Sequence, residues 1–363
     1  MTRREFLQLS ATATAGALLP GCASKPKGRP QPKIPRWRGF NLTEMNGPRR
    51  DHPYRESDFE WMQGWGFNFA RLPLSYWQWS SPKNWMTIDP SALEPLDRAL
   101  ELGRQYGVHI CMCLHRIPGY CVNGRELEPY QLFGSSEDSM QWALDAAVLH
   151  WGTLAERYRD VSPARLSFDL INEPPFMDDQ SRYVQICKTL IAGIREKSPD
   201  RLIFANGADI GQTPVVGLID EGIVQSSHDY QPKMITHYKA GWVPAAEFES
   251  LEVPTWPMFD KHGVLWDKEK LRLEDITKWK PVTDHGVPVH VGEWGCNNKT
   301  PHEVCLAFMA DELSLWKEAG WGWSIWNLRG SFGIVDSGRE DVAYEDFQGH
   351  KLDRKMLELL REG

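Results

Sequence analysis

Short apolar runs alternate with amphipathic stretches along the chain from Trp37 onward. A short apolar run bounded by turn residues is typical of a buried strand, whereas apolar residues three and four positions apart are typical of a helix. This pattern predicts eight strands, at residues 38–42, 67–72, 109–114, 166–171, 202–206, 223–227, 289–292 and 322–325.

Helical stretches separate most of these strands. They are predicted at residues 57–65, 93–105, 140–158, 181–197, 268–278, 302–319 and 353–361. The second of them stops just before Gly107, which suits a helix C-cap. Eight strands that alternate with helices predict a single (β/α)8 TIM barrel of the α/β class.

The 363 residues suffice for one such barrel with a full core. We predict a signal peptide at residues 1–21, a Pro/Lys-rich solvated tether at 22–33 and the barrel domain at 34–363. The barrel domain is expected to be a monomer. The net charge of −8, with no basic stripe, argues against a nucleic-acid partner.

The first 22 residues have the features of a targeting segment. Arg3 and Arg4 precede a mildly apolar run that is too short to span a bilayer, as in a twin-arginine export signal. The run ends Leu18-Leu19-Pro20-Gly21-Cys22, which resembles a bacterial lipoprotein cleavage box, although Pro20 is atypical there. We therefore predict export to the periplasm or the cell exterior, with an acyl anchor on Cys22 as the contact with a membrane.

The chain contains 17 Trp, an unusual number. Large aromatic faces are costly to leave in water, and sugar rings, whose C–H faces are apolar, are common stacking partners. Several Trp at helical spacings are expected in the core: Trp61, Trp65, Trp142, Trp151 and Trp316. Four others follow strands two and six in predicted loops, and some of them are predicted sugar platforms: Trp77, Trp79, Trp242 and Trp256.

Cysteine spacing gives little evidence for a metal site. Cys111 and Cys113 lie two apart on a predicted strand and spell Cys-x-Cys-x-His with His115, but one row of side chains on a strand cannot surround an ion. We therefore predict that both pack as small apolar residues and that no metal is bound. Four more could form disulfides in an oxidising compartment, without a pairing that the sequence assigns: Cys121, Cys187, Cys296 and Cys305.

Two strand-like runs end in a glutamate. Residues 166–171 are followed by Asn172-Glu173-Pro174-Pro175, in which the prolines stop the strand, and residues 289–292 are followed by Glu293. A carboxyl group at the end of a buried strand is desolvated, which raises its pKa and suits it to donate a proton. Taken alone, either glutamate has an alternative interpretation, as a residue that caps a helix or lies in a loop.

Other strand ends carry polar side chains as well. Function collects at the carboxyl ends of the strands in a (β/α)8 barrel, and six of the eight predicted strands present hydrogen-bonding or titratable groups there. Each residue alone has a structural explanation, such as a salt bridge or a plug of the barrel mouth. Together they predict one site, with these candidates: Arg71, His115, Asn172, Glu173, His228, Tyr230, His237, Glu293 and Trp326.

These segments, taken in order, resemble glycoside hydrolase family 5, the cellulase-type group of retaining (β/α)8 glycosidases. The resemblance covers residues from about 37 to 350. Many relatives have a second histidine where this chain has Arg116, so the sugar contacts of that loop are expected to differ from theirs. The matching motifs are Arg71-Leu72-Pro73, Leu114-His115 with Pro118-Gly119-Tyr120, Asn172-Glu173-Pro174, His228-Asp229-Tyr230-Gln231-Pro232 with Thr236-His237, Glu293-Trp294-Gly295, and Trp326-Asn327-Leu328-Arg329-Gly330-Ser331-Phe332-Gly333.

The resemblance implies a role for each candidate. Glu173 would be the general acid/base and Glu293 the nucleophile of a retaining hydrolysis, without a cofactor. Arg71 would hold the pKa of Glu293 down, and Tyr230 would orient that carboxylate. Asn172 would bind the sugar 2-hydroxyl. His115 and His228 would line the site of the cleaved sugar, with Trp326 as its stacking floor, and His237 would be a further substrate-binding or supporting residue.

The first choice of substrate is β-1,4-glucan, cleaved internally, ahead of mannan, mixed-linkage glucan and β-1,3-glucan. The fold cannot choose among them, or between endo and exo action. A carbohydrate-binding barrel without turnover is an alternative of another class. A barrel lyase or aldolase would need a strand-end lysine or a phosphate-binding glycine loop after strands seven and eight, and neither is evident.

Overall fold

The computed structural model describes residues 28–47, 53–244 and 253–363. The predicted signal peptide and the predicted acylation site at Cys22 lie outside these residues. Within them, no helix combines the length and the apolar character needed to cross a membrane. Residues 28–33, which we predicted to belong to a solvated tether, instead contact the barrel: Arg29 N–H donates to the Asp220 carbonyl at 2.8 Å, and Gln31 Nε2 donates to the Ile219 carbonyl.

Eight parallel strands close into a barrel, which confirms the predicted fold. Their order around the barrel follows the sequence, since β1 pairs with both β2 and β8, and the ring is complete through the β2–β3 pair. The strands are β1 (Arg38–Asn41), β2 (Phe69–Ser75), β3 (His109–Ile117), β4 (Leu166–Asp169), β5 (Leu202–Asn206), β6 (Val224–Asp229), β7 (Val289–Trp294) and β8 (Gly322–Ile325).

Six longer helices pack around the strands. Gly107 ends α2 with φ of 67°, in the left-handed conformation that a C-cap glycine adopts without steric cost. The side chain of Asp353 caps α6 by accepting from Met356 N–H. The helices are α1 (Glu56–Trp65), α2 (Glu94–Tyr106), α3 (Glu137–Arg157), α4 (Ser181–Lys197), α5 (His302–Ala319) and α6 (Arg354–Glu362).

The helix predicted at 268–278 is a series of short segments. It runs as α-helix over Lys268–Leu271, π-helix over Arg272–Ile276 and 3₁₀-helix over Thr277–Trp279, before a last turn at Lys280–Thr283. Pro281 lies at the start of that last turn, where the missing N–H of a proline costs no hydrogen bond within the turn. The segment at residues 268–278 is helical as predicted, but it is divided among three types of helix.

An aromatic cluster fills the barrel at the amino ends of its strands. Trp37 stacks on His109 with ring centroids 3.9 Å apart, and Phe69 packs against both rings. The cluster also contains Phe204 and Cys111. It closes the barrel interior at this end, which we call the base, and leaves the carboxyl ends of the strands as the open face.

The five tryptophans predicted to be core residues divide into two groups. Trp61, Trp151 and Trp316 are buried, and Trp65 is half-buried. Trp142 is 54% exposed on α3, stacked on Tyr130, so its prediction was wrong. All six cysteines in the described part of the chain have free, buried thiols, which include the four that could have formed disulfides: Cys121, Cys187, Cys296 and Cys305.

Candidate active site

Glu173 and Glu293 face each other at the open end of the barrel. Glu293 is the penultimate residue of β7, and Glu173 follows β4 by four residues. An oxygen of each carboxyl group and a ring nitrogen of His228 all lie within 4.8 Å of one another. Retaining glycosidases have carboxyl groups about 5–5.5 Å apart and inverting ones about 6.5–9.5 Å. The distance between the carboxyl groups of Glu173 and Glu293 is therefore of the shorter, retaining type.

Two hydrogen bonds hold the backbone of Glu173 in an unusual conformation. Its φ is 47°, in the left-handed region that residues with a side chain seldom adopt. Its N–H donates to Asn206 Oδ1 at 2.9 Å, and its carbonyl accepts from the Tyr120 hydroxyl at 2.5 Å. Strain of this kind persists only where the surrounding contacts fix it, and it is frequent at functional sites.

Arg71 joins the acidic groups of the site. It lies in the middle of β2 and is 1% exposed. Its Nη1 donates to Glu293 Oε1 at 2.6 Å, its Nε to Asp169 Oδ2 at 2.9 Å, and its Nη2 to Asn172 Oδ1 at 2.7 Å. The guanidinium thus forms ion pairs with two buried carboxyl groups and fixes the amide of Asn172. The Nδ2 of Asn172 has no hydrogen-bond partner among the described residues, so it is free to donate to a ligand.

Three residues that the sequence reasoning missed complete this network. Asn41, at the end of β1, accepts from Arg71 Nη1 at 3.0 Å, and the thiol sulfur of Cys113 lies 3.0 Å from Nη2. Asn206, at the end of β5, donates to Asp169 at 2.8 Å as well as accepting from Glu173. Asn41 and Asn206 lie at strand ends, as the predicted candidates do. They belong to β1 and β5, the two strands for which no candidate was predicted.

His228 and Tyr230 contact the two glutamates. The hydroxyl of Tyr230 donates to Glu293 Oε2 at 3.2 Å. His228 Nδ1 lies 3.0 Å from Glu173 Oε1 and 3.8 Å from Glu293 Oε2. Burial lowers the pKa of His228 to about 4, so its imidazole is neutral at pH 7.

The two carboxyl groups have different electrostatic surroundings. Burial raises the pKa of Glu173 to about 7, opposed at longer range by Arg71 and Lys233. Burial also raises the pKa of Glu293, against the lowering effect of His228 and Arg71. The prediction that Arg71 would set the net direction was therefore wrong, because desolvation outweighs it. Glu293 nonetheless has a guanidinium in contact and Glu173 has none, so Arg71 favours the ionised form of Glu293 more directly than that of Glu173.

A cleft of about 440 Å³ opens above the glutamates. The predicted residues His115, His237 and Trp326 all line it. The rings of His115 and Trp326 lie 5.9 Å apart, and His237 packs edge-on against Tyr230. The remaining lining residues were not predicted, apart from Trp242: Val122, Asn123, Ile210, Gln212, Lys233, Trp242, Val243, Pro244 and Phe332.

The four loop tryptophans have different environments. Trp242 lines the cleft, is 59% exposed and stacks on Phe332 with centroids 6.0 Å apart. Trp79 is buried and donates to His150, and Trp256 donates to Asp311 on α5, so neither is a sugar platform. Trp77 is half-buried beneath the guanidinium of Arg116, at 4.1 Å. Of the four, Trp242 alone lies in the cleft.

Arg116 is the residue at which the chain departs from the family pattern. Its side chain points into the protein interior. It is 8% exposed, pairs with buried Glu128 at 2.7 Å and donates to the Asn123 carbonyl at 2.7 Å. Glu128 also accepts from the Tyr76 hydroxyl. Arg116 therefore supports the loop that carries the cleft residues Val122 and Asn123, and the cleft lining does not include it.

Metal binding has one candidate group within the described ranges, which is Glu173 with His228 and Glu293. Arg71 already places a positive charge 2.6 Å from Glu293, and it would repel a second cation. Cys111, Cys113 and His115 do not form a second such group among the described residues, because Cys111 packs in the base cluster while Cys113 contacts Arg71.

This closed (β/α)8 barrel carries two carboxyl groups close together on its open face. That is the active-site geometry of a retaining glycoside hydrolase. The family model described as Cellulase (glycosyl hydrolase family 5) matches residues 28–331, and the chain belongs to this family. It is accordingly a glycoside hydrolase that acts on O-glycosyl bonds.

Individual relatives agree with this assignment. Endoglucanase C of Acetivibrio thermocellus is 26% identical over 316 residues, which cover 80% of this chain and 88% of that protein. A probable glucan 1,3-beta-glucosidase A of Aspergillus terreus is 29% identical over 48% of this chain and 42% of its own length. A crystal structure of a glycoside hydrolase superposes with a TM-score of 0.83 at 35% identity, covering 90% of this chain and 99% of that one.

Proposed function

We propose that this enzyme is a retaining endo-β-1,4-glucanase in which Glu173 is the general acid/base and Glu293 the nucleophile. The observation that carries the proposal is the pair of carboxyl oxygens within 4.8 Å of each other, with a guanidinium in contact with one and not with the other. One carboxyl group can therefore remain protonated while its neighbour is ionised, as the double displacement requires.

In the first step the carboxylate of Glu293 attacks the anomeric carbon. The bond from that carbon to the glycosidic oxygen breaks, and the proton of Glu173 moves to the departing oxygen. The ester leaves Glu293 uncharged, so the pKa of Glu173 falls and Glu173 becomes a base. In the second step Glu173 takes a proton from water, whose oxygen attacks the anomeric carbon and releases Glu293.

The neighbouring side chains would bind the sugar at the cleavage point. Asn172 presents an unpartnered Nδ2 donor, which suits the sugar 2-hydroxyl, while its Oδ1 is held by Arg71. His228 does not line the cleft, so it would act through Glu173, which its Nδ1 contacts at 3.0 Å. Trp326 would form the floor beneath the ring, with His115 beside it. Tyr230 would keep the Glu293 carboxylate oriented through its 3.2 Å hydrogen bond.

The choice of β-1,4-glucan is supported by the relatives named endoglucanase, which align over most of their length. Internal cleavage is supported by the two tryptophans of the cleft lining, Trp326 and Trp242, which offer separate stacking surfaces to a chain of sugars. The sequence of the first 22 residues supports export by the twin-arginine route and acylation of Cys22. A monomer remains our expectation.

Incubation with soluble polysaccharides tests the proposal. We expect hydrolysis of hydroxyethyl cellulose with an early fall in viscosity and soluble products of several lengths, because an endo-acting enzyme cuts within the polymer. Proton NMR of cello-oligosaccharide digests should show the β anomer before mutarotation, because two displacements retain the configuration.

β-Mannan, mixed-linkage β-glucan and β-1,3-glucan are the comparison substrates in the same assay. Faster turnover of one of these polymers would replace the substrate assignment and leave the mechanism standing. An initial α anomer would exclude the double displacement, and binding of glucan without any hydrolysis would favour the non-catalytic barrel.

The pH dependence follows from the protonation of Glu173. The acid form is required for the first step, and the pKa of Glu173 is about 7, so kcat/KM should fall about tenfold per pH unit above that value. Lys233 lines the cleft and lowers this pKa, so Lys233→Met should move the alkaline limb of the profile to higher pH. Initial rates across the pH range on a soluble glucan measure both effects.

Lys239→Met is the matched control, since Lys239 is an exposed lysine that packs over Tyr238 outside the cleft lining. It removes the same charge and should leave the alkaline limb in place. The shift caused by Lys233→Met should also shrink at high salt, because an exposed charge is screened. Equal shifts in the two variants, or a shift to lower pH, would contradict the electrostatic assignment.

A further inference from the structure

A second cavity, of about 660 Å³, lies at the base of the barrel. Its walls are residues 29–37 of the first described segment, the turn before β4, the end of α4 and the start of β5. The aromatic cluster around Trp37 stands between this cavity and the interior of the barrel. The base cavity is therefore separate from the catalytic cleft, which opens at the other end.

The base cavity has an excess of positive charge. Its lining contains Arg29, Lys33, Arg195 and Arg201, and Asp200 is the acidic residue among them. In the described part of the chain, none of these four cations forms an ion pair, whereas many surface arginines elsewhere do. An accumulation of unpaired cations in one concave site favours an anionic ligand.

Two of the arginines are partly or fully buried without a carboxylate. Arg201 is 3% exposed and donates only to the backbone carbonyls of Leu166 and Tyr158, at 2.9 and 2.7 Å. Arg195 donates to the Gly222 carbonyl at 3.0 Å. The Nε atoms of both side chains have no partner among the described residues. These Nε atoms are inaccessible to solvent and do not face the cavity, but both side chains add a positive charge to its wall that no carboxylate in the described part of the chain neutralises in an ion pair.

The rest of the cavity wall is apolar. It is made of proline rings, an indole edge and two aliphatic side chains: Pro30, Pro32, Pro35, Trp37, Pro163, Ala164 and Leu202. A free inorganic anion would use the cations and gain nothing from this wall. A ligand with a phosphate next to an apolar portion would use both, and a phospholipid at a membrane surface has that composition.

We propose that the base cavity binds the head group of an anionic phospholipid, with the phosphate at Arg29, Lys33 and Arg195 and the glycerol and upper acyl region against the prolines. The predicted acylation site supports this occupant. Five residues, 23–27, lie between Cys22 and the first described residue, and the six chain steps from residue 22 to residue 28 span at most about 20 Å. An anchored chain would hold the base at the bilayer with the catalytic cleft facing away.

Vesicle binding by the full chain tests this proposal. Cys22→Ser is introduced so that no acyl chain contributes, and sedimentation is measured with vesicles of phosphatidylcholine alone or mixed with phosphatidylglycerol. Binding is expected with the mixed vesicles only. The double variant Arg29→Gln/Lys33→Gln, made in the same background, should reduce the partition coefficient by about fivefold per cation, or about 25-fold.

Arg104→Gln/Lys299→Gln is the matched control, since both residues are exposed, lie outside the base cavity and remove the same charge. It should bind mixed vesicles like the Cys22→Ser parent, and both double variants should hydrolyse soluble glucan at the parent rate. An equal loss in the two double variants would assign the binding to overall charge and overturn the proposal. Thermal stabilisation by inorganic phosphate without vesicle binding would make this a free-anion site, and the absence of both would leave no site.

Discussion

Replacing Glu293 with glutamine is expected to reduce kcat on the order of 10⁵-fold while the protein remains folded and binds substrate. Glutamine has the shape of glutamate, and its amide oxygen can still accept from Arg71 Nη1, which lies 2.6 Å from Glu293 Oε1. It has no negative charge with which to attack the anomeric carbon. Steady-state kinetics on a soluble glucan, with oligosaccharide binding by calorimetry, measure the two halves of this prediction.

Glu312→Gln is the matched control for this variant. Glu312 lies on α5, is fully buried and has no hydrogen-bond partner for either carboxyl oxygen among the described residues. Burial raises the pKa of Glu312 well above its ordinary value, which favours the uncharged carboxyl form, and the neutral amide is a close substitute for that form. Glu312→Gln should therefore keep normal turnover. Activity of Glu293→Gln within tenfold of the parent would refute the assignment of the nucleophile.

The barrel and the two glutamates could be predicted from the sequence because both rest on local patterns. Strands β5 and β8 and helices α4 and α5 have the predicted bounds, since each is a clear apolar or amphipathic run between turn residues. Strand β3 extends three residues beyond its predicted end at 114, to Ile117. Arg116 and Ile117 pair with the hairpin strand Tyr120–Cys121, a contact that periodicity does not reveal.

The hydrogen-bond network around Arg71 could be predicted only in part. The rule that function collects at strand ends identified six strands, and it applies equally to Asn41 on β1 and Asn206 on β5. Asp169 was visible as a charge inside an apolar run, but nothing local shows that it faces Arg71 from a strand two positions around the barrel.

The exposure of the tryptophans could not be predicted, because it depends on contacts between distant segments. Trp79 and Trp242 both follow strands in loops, yet Trp79 is covered by His150 from α3 while Trp242 extends into the cleft. Trp142 has a helical spacing like that of Trp151, but its side of α3 faces solvent. The net direction of a pKa shift could not be predicted either, because it also depends on burial. At Glu293 the effect of burial outweighs that of the neighbouring cation.

Arg71→Lys is expected to lower both the stability of the fold and the rate of hydrolysis. The guanidinium contacts five acceptors, and an ammonium group has three donors from a single point, so buried acceptors would lose their partner. Leaving a buried carboxylate such as Asp169 or Glu293 without its partner costs on the order of 3–5 kcal/mol of unfolding free energy. The loss of a fixed donor beside the reacting carboxylate should lower kcat by about 10²–10³-fold.

Urea unfolding and kcat, corrected for the folded fraction, separate these two effects of Arg71→Lys. Arg329→Lys is the matched control, because Arg329 makes a two-pronged contact with buried Asp58 outside the catalytic network. It should lose stability and keep its kcat. If Arg71→Lys behaves in the same way, the guanidinium supports the fold alone. If Arg71→Lys loses kcat beyond the loss in Arg329→Lys, the guanidinium acts directly on the carboxylate that attacks the sugar.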